Sequence, residues 1–483
     1  MKKINIILYT FLSFILVTSC DKDFEELNVD PNNSTAVPAH LLLGGAQKTY
    51  MNTMYSAGLG GDMGACWAQH WSKVQYNDEA RYVPRRGSID AIWSNVYTSV
   101  IAESNAMYDL AETEGNTSLM GAALVMQAVG FQTLVDFYGP VPFTQANDSD
   151  ILQPAYDSEA VVYEGILSLL DRAAGLLNGS STTIVNSSDL FYGGNVSKWY
   201  KLANSLKFRA LMRISSTRSV NDEALMGKMF TSNDDSAQVS YLAAAPDANP
   251  IWETIVDGNR AEYKVNSVLV ELLQSLNDDR LSKYAGKNAS GNYLGKPSGY
   301  GNQTSLPNEA LGYTYSNISP LGEFYLTPTL PGVLMSYSQL SFLIAQAANE
   351  GYISGGITAA SNWYNEGIVS SFSFLGLSAN SYLAQDGLDF STQADARIKS
   401  GTQEWISLFG QGFESWTEWR RNKIPALTPA AEAPISQIPS RLYYPTNEPS
   451  LNKESYNAAV STIGGDELTS GLIWQSNTKI ILK

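Results

Sequence analysis

The sequence predicts a mostly α-helical body. Apolar residues recur at helical spacing in segments that come in pairs. Small residues fall where the paired helices would touch. Two long stretches rich in glycine, asparagine and aromatic rings interrupt the pairs. Together these read as a solenoid-like scaffold broken by insertions.

The chain opens with Lys2 and Lys3, then a largely apolar run from Ile4 to Val17. That run is as long as the apolar region of an export signal and short for a bilayer span. Val17-Thr18-Ser19-Cys20 follows, small residues ahead of a cysteine, the pattern a bacterial lipoprotein signal peptidase reads. Residues 1–19 are therefore expected to be removed and Cys20 to be acylated. Each buried methylene contributes about 0.8 kcal/mol, so two or three acyl chains hold a protein firmly at a membrane. Residues 20–35, beginning with the acidic Asp21-Lys22-Asp23-Phe24-Glu25-Glu26, read as a leash. Residues 36–483 read as one body, expected outside the cytoplasm and touching the membrane only through its lipid. No further apolar stretch is read as a span.

Removing the signal leaves 29 basic residues against 47 acidic, a net charge of −18. Such a surface argues against nucleic acid and anionic lipid as partners. Cys66 is then the only thiol besides the acylated one, so no intramolecular disulfide or cysteine-based metal cluster is expected. The 27 Tyr and 10 Trp far outnumber the 16 Phe. Rings with a polar edge can sit half-exposed, offering a flat face and a hydrogen-bonding rim that suit sugars.

The first helical pair runs from Ser88 to Ala111, with Ile92, Val96, Val100 and Ile101 on one face, and from Leu119 to Phe137. Ala122, Ala123, Met126 and Gly130 permit close approach there, and Tyr138-Gly139-Pro140 ends the pair. Glu159–Leu177 and Lys198–Ser215 form the next. Val333–Asn349 and Thr358–Phe372 form a third, whose Ala347, Gly351, Ala360, Trp363 and Tyr364 follow the small-and-aromatic pattern of a tetratricopeptide unit. Ser391–Phe409 and Gly412–Arg421 form a fourth. The insertions are Gly58–Arg86, with Trp67, Trp71, Tyr76 and Tyr82, and Gly286–Pro331, with Tyr293, Tyr300, Tyr313, Tyr315, Phe324 and Tyr325. Loops this long that keep aromatic rings are expected to be ordered binding loops.

Catalytic patterns are scarce. His40 and His70 are the only histidines, and neither His-Glu-x-x-His nor Gly-x-Ser-x-Gly occurs. Gly58 to Gly64 lacks the Lys-Ser/Thr ending of a phosphate loop, and no twelve-residue calcium loop is present. Paired carboxylates roughly 5–9.5 Å apart would allow glycoside hydrolysis, and sequence spacing does not test that distance. Lys198 to Arg218 carries six basic residues and no acid. It is read as a helix flank facing carboxylates, and Trp405, Trp416 and Trp419 are read as packing residues.

Several segments, in order along the chain, resemble the SusD/RagB-type nutrient-binding outer-membrane lipoproteins. They are the lipobox with Phe24-Glu25-Glu26-Leu27-Asn28-Val29-Asp30-Pro31-Asn32, then Phe137-Tyr138-Gly139-Pro140-Val141-Pro142-Phe143. Trp199 to Arg209, Asn277 to Leu281, Leu334 to Ser338 and Ile438 to Pro445 follow. The resemblance implies about four tetratricopeptide-like hairpins, few short strands and a loop-rich ligand face. It also implies a binding protein without enzyme activity or cofactor, which captures oligosaccharides, or in some members peptides, for a SusC-like TonB-dependent barrel. By position, the ligand platform corresponds to the two aromatic insertions. Trp67, Trp71, Tyr76 and Tyr82 are then expected to form one wall, Tyr300, Tyr313 and Tyr315 the other, with Trp252 outlying. Two or three stacked rings at about 0.5–1.5 kcal/mol each, with side-chain hydrogen bonds, imply micromolar to millimolar capture. A peptide receptor of the same architecture and a helical glycoside hydrolase are the alternatives.

Overall fold

The structure, a computed structural model, describes residues 37–217, 220, 223–300 and 313–475. The export signal, Cys20 and the leash lie outside the described residues, as do Arg218, residues 301–312 of the second insertion and residues 476–483.

Helix α1 spans Ala39–Tyr55 and continues after Ser56 into a π-helical segment, Ala57–Ala65. Strand β1 (Trp71–Lys73) follows. Helix α2 (Arg86–Asn95) passes through a π-helical stretch, Val96–Ile101, into α3 (Ala102–Thr113). Helix α4 (Thr117–Tyr138) starts where Asn116 Oδ1 accepts the Leu119 amide at 3.0 Å, and stops at Gly139, whose φ of +86° a side chain would resist. Helix α5 covers Glu159–Leu177, capped by Ser158, and α6 covers Val196–Arg213, capped by Asn195. Then come β2 (Ala237–Val239), β3 (Tyr263–Val265), α7 (Ser267–Ser275) and β4 (Gly332–Met335). Helices α8 (Tyr337–Asn349), α9 (Gly356–Phe374), α10 (Gln393–Ser407), α11 (Gly412–Asn422) and α12 (Lys453–Thr462) complete the main elements.

Neighbouring helices pack as antiparallel hairpins: α3 with α4, α4 with α5, α5 with α6, and α8 with α9, against which α10 lies. Helix α4 is the central one. Gly130 lies so near Ile101 that a Cβ would come within 2.6 Å of its Cγ1, and Gly121 faces Leu177 in the same way. In length and composition this 22-residue helix could cross a membrane, contrary to expectation, yet the whole of its apolar window is buried inside the body. Residues 333–335, read as helical, form strand β4, because a short apolar run does not distinguish the two states. Helix α11 follows α10 but packs chiefly on the π-helical segment. Gly60, Gly64 and Gly412 bring the two backbones into contact there. A Cβ on Gly412 would sit 2.1 Å from the Gly60 carbonyl oxygen. The glycine run that superficially resembled a phosphate loop is a packing surface.

Where the hairpins meet, Arg213 of α6 is fully buried among three carboxylates. Its Nη2 donates to Glu414 Oε1 at 2.8 Å and Glu418 Oε1 at 2.7 Å, and its Nη1 to Asp136 of α4. Arg421 Nε donates to Glu418 Oε2 at 2.6 Å, and its Nη2 to Gln346 Oε1 of α8 at 2.7 Å. Burial alone would raise Glu418, but Arg421 and Arg213 hold it at about 2. Burial, helped by nearby Glu418, pushes Glu404 of α10 up to about 8. The basic stretch of α6 faces carboxylates as expected: Lys201 pairs with Asp235 and Lys207 with Asp171, both at 2.8 Å. Trp405, Trp416 and Trp419 are buried, and the Arg420 guanidinium lies 3.6 Å from the Trp416 ring centre. His70 packs against Trp405, and burial pushes it down to about 3, so it stays neutral.

Glu159, at the start of α5, accepts the Ile473 amide at 2.8 Å, and burial pushes it up to about 8. Its folded value lies above the ordinary carboxylate value, so its contribution to stability is complete below about pH 4.5 and is lost as pH rises towards 8. Glu159→Gln should therefore raise Tm at pH 7.5 and leave it nearly unchanged at pH 4. Equal shifts at both values would show that the titration plays no part.

Candidate ligand-binding face

The two insertions converge on strand β3. β1 pairs with it antiparallel, Trp71 opposite Val265 and Lys73 opposite Tyr263. Isolated bridges from Lys264 to Pro320 and from Asn266 to Lys296 attach the second insertion beside it. Backbone pairing on both sides of one three-residue strand thus brings together residues some 240 positions apart.

The aromatics divide into roots and tips. Trp67, Trp71 and Tyr82 are 0%, 1% and 3% exposed, so the expectation that they form a ligand wall is corrected. Trp67 Nε1 donates to the Glu79 carbonyl at 2.8 Å, and its ring meets Trp416 edge-on at 5.0 Å. Trp71 covers Gly61 and meets Tyr263 at 5.8 Å. The Tyr82 hydroxyl accepts the Ala430 amide at 2.8 Å. Their surroundings are helical and π-helical packing, which sequence composition does not reveal. Trp252 is half-buried on the helical turn Pro250–Trp252, and among the described residues it has no ring contact with the tyrosines.

Tyr76 and Tyr315, in contrast, are 53% and 41% exposed. Tyr76 occupies a left-handed backbone conformation, φ +51°, uncommon for a bulky residue. Its ring lies 5.4 Å from the Arg260 guanidinium, within cation–π range. The Tyr315 hydroxyl donates to Gln75 Oε1, joining the two insertions directly. Lys264 Nζ donates to the Tyr315 carbonyl at 3.0 Å and lies 5.7 Å from its ring centre. Tyr300 and Tyr313, both half-buried, pair at 5.6 Å, and Asn77 of the first insertion donates to the Tyr300 carbonyl. Burial pushes both Lys264 and Lys296 down to about 8. Arg260 Nε donates to Glu262 Oε1 at 2.6 Å. Nothing in the sequence marks Gln75, Arg260 or Lys264 as part of this face. The two cations lie outside both insertions, and only the β1–β3 register brings them alongside. The face combines exposed rings with neutral and cationic donors, a set suited to holding a polyhydroxylated ligand.

Residues 31–445 match the profile of a SusD-like family described as starch-binding and associating with the outer membrane. The chain belongs to that SusD-like family. Solved structures agree with the membership. A chitin-binding protein superimposes with a TM-score of 0.79 at 25% identity, covering 91% of this chain and all of its own. A chitin-binding SusD homologue from Flavobacterium johnsoniae gives 0.77 at 20% identity, over 91% of this chain and 99% of that one. A SusD homologue from Bacteroides uniformis gives 0.78 at 20% identity, over 90% and 99%. No curated protein matches the sequence. The SusD-like fold accounts for the helical hairpins, the few short strands and the loop-rich face carried on them.

Proposed function

We propose that this SusD-like chain is a lipid-anchored outer-membrane protein that captures oligosaccharides on the Tyr76–Tyr315 face. It then delivers them to a SusC-like TonB-dependent transporter. The observation that carries the reading is the pair of exposed tyrosines held together from two distant insertions. The family description and the two chitin-binding neighbours support a glycan as cargo. The lipobox at Cys20 supports the anchor. The rings stack on the C–H faces of successive sugars while Gln75 and Arg260 meet their hydroxyls, and no bond is made or broken.

Calorimetry with chitohexaose and maltohexaose tests the face. Each stacked ring contributes about 0.5–1.5 kcal/mol, so Tyr76→Ala with Tyr315→Ala should weaken binding of the preferred glycan by about 5- to 150-fold. Unchanged affinity would remove this face as the site. Fatty-acid labelling of the native chain, lost in Cys20→Ala, tests the anchor separately.

A further inference from the structure

A cavity of about 230 Å³ lies between the β2–β4 pair and helices α8, α9 and α10. Its residues are separate from the tyrosine face. Tyr284, Tyr325 and Phe409 form one wall, with Tyr284 stacked on Phe409 at 4.4 Å and Tyr325 edge-on to it at 4.7 Å. The lining is also hydroxylated. Ser236 Oγ accepts the Tyr337 amide at 2.9 Å and Ser336 Oγ the Gln339 amide at 3.0 Å, so each retains its own proton to donate.

Two further groups have no protein partner among the described residues. Gln411 Oε1 is buried and unpaired, and the Tyr325 hydroxyl, on a residue 4% exposed, has no hydrogen bond. A buried polar atom such as Gln411 Oε1 is rarely left so, and Gln411 and Tyr325 both line this cavity. Exposed Asp234 and Ser373, with half-buried Gln238, line its outer part. The volume exceeds the roughly 150 Å³ that accommodates a benzene ring, and it is too small for a chain of sugars.

We propose that this cavity is a second binding site, taking one neutral sugar ring with an apolar face against the aromatic wall and hydroxyls towards the serines and Gln411. Among the described residues the carboxylate of Asp234 is the only charged group lining it, which disfavours anions.

The site is tested on the lipid-free mature chain with N-acetylglucosamine and glucose as probes, followed by saturation-transfer NMR and titration. At least one probe should bind at millimolar concentration, and binding should persist when Tyr76 and Tyr315 are both alanine. Gln238→Trp, which fills the cavity, should abolish it, and Tyr325→Phe, which keeps the ring, should weaken it by about three- to tenfold. Circular dichroism establishes that both variants fold. Failure of both probes to bind, binding unaffected by both cavity variants, or binding lost only with the face tyrosines would overturn the proposal. The last result would leave the face reading intact, so the two sites fail separately.

Discussion

Replacing Arg213 with methionine should lower the stability of the body by about 3–5 kcal/mol, because removing one partner of a buried ion pair strands the other. Asp136 would then lie in the core without its main cation, Glu418 would keep Arg421 alone, and Glu414 would lose its 2.8 Å partner. These carboxylates belong to α4 and α11, so the loss should be felt where the hairpins join and not within any single hairpin. Urea denaturation measures it. Combining Arg213→Met with Glu418→Gln should recover part of the loss, since one stranded charge is removed. Arg213→Lys should be intermediate, because an ammonium cannot reproduce the guanidinium fork. A loss below about 1 kcal/mol for the methionine variant would mean that the cluster re-pairs or takes up protons at little cost.

Gly412→Ala should cost about 3 kcal/mol, at the upper end for overpacking. Within an unobstructed helix the same change stabilises by up to about 1 kcal/mol. Here the added carbon would sit 2.1 Å from the Gly60 carbonyl oxygen and 2.7 Å from the Ala65 nitrogen, both backbone atoms that cannot swing aside. Gly175→Ala on α5, with nothing within 4 Å, is the control and should stabilise. The displacement would also disturb Trp71, which lies against Gly61 in the same segment, so Gly412→Ala should weaken glycan binding through the position of Tyr76. Equal effects of the two substitutions would show that α11 and the π-helical segment separate freely.

Helix α5 has the bounds that periodicity assigns, Glu159–Leu177, because Ser158 supplies a cap and its apolar stripe packs between α4 and α6. Helix α1 has no clear periodicity in the sequence. Gly44 and Gly45 interrupt its pattern, and it is buried on several sides, so little amphipathic contrast marks it. The π-helical segments have no sequence signature of their own. The two insertions were recognised as a related pair by position, and the structure joins them through β3. Which rings face outward was not readable. Trp67 and Tyr76 both stand among polar and small residues, yet one is sealed beneath Trp416 while the other is exposed. Only tertiary burial separates them, and a one-dimensional pattern contains no measure of it.

The division of the first insertion into sunken rings and projecting ones has an evolutionary consequence. Tyr76 packs little against the core, so selection can exchange it for residues that tolerate its left-handed backbone, at the expense of the Arg260 contact. Trp67 has no such latitude. On the proposed glycan-capturing reading, ligand preference can change at the outermost side chains while the buried rings beneath them stay fixed.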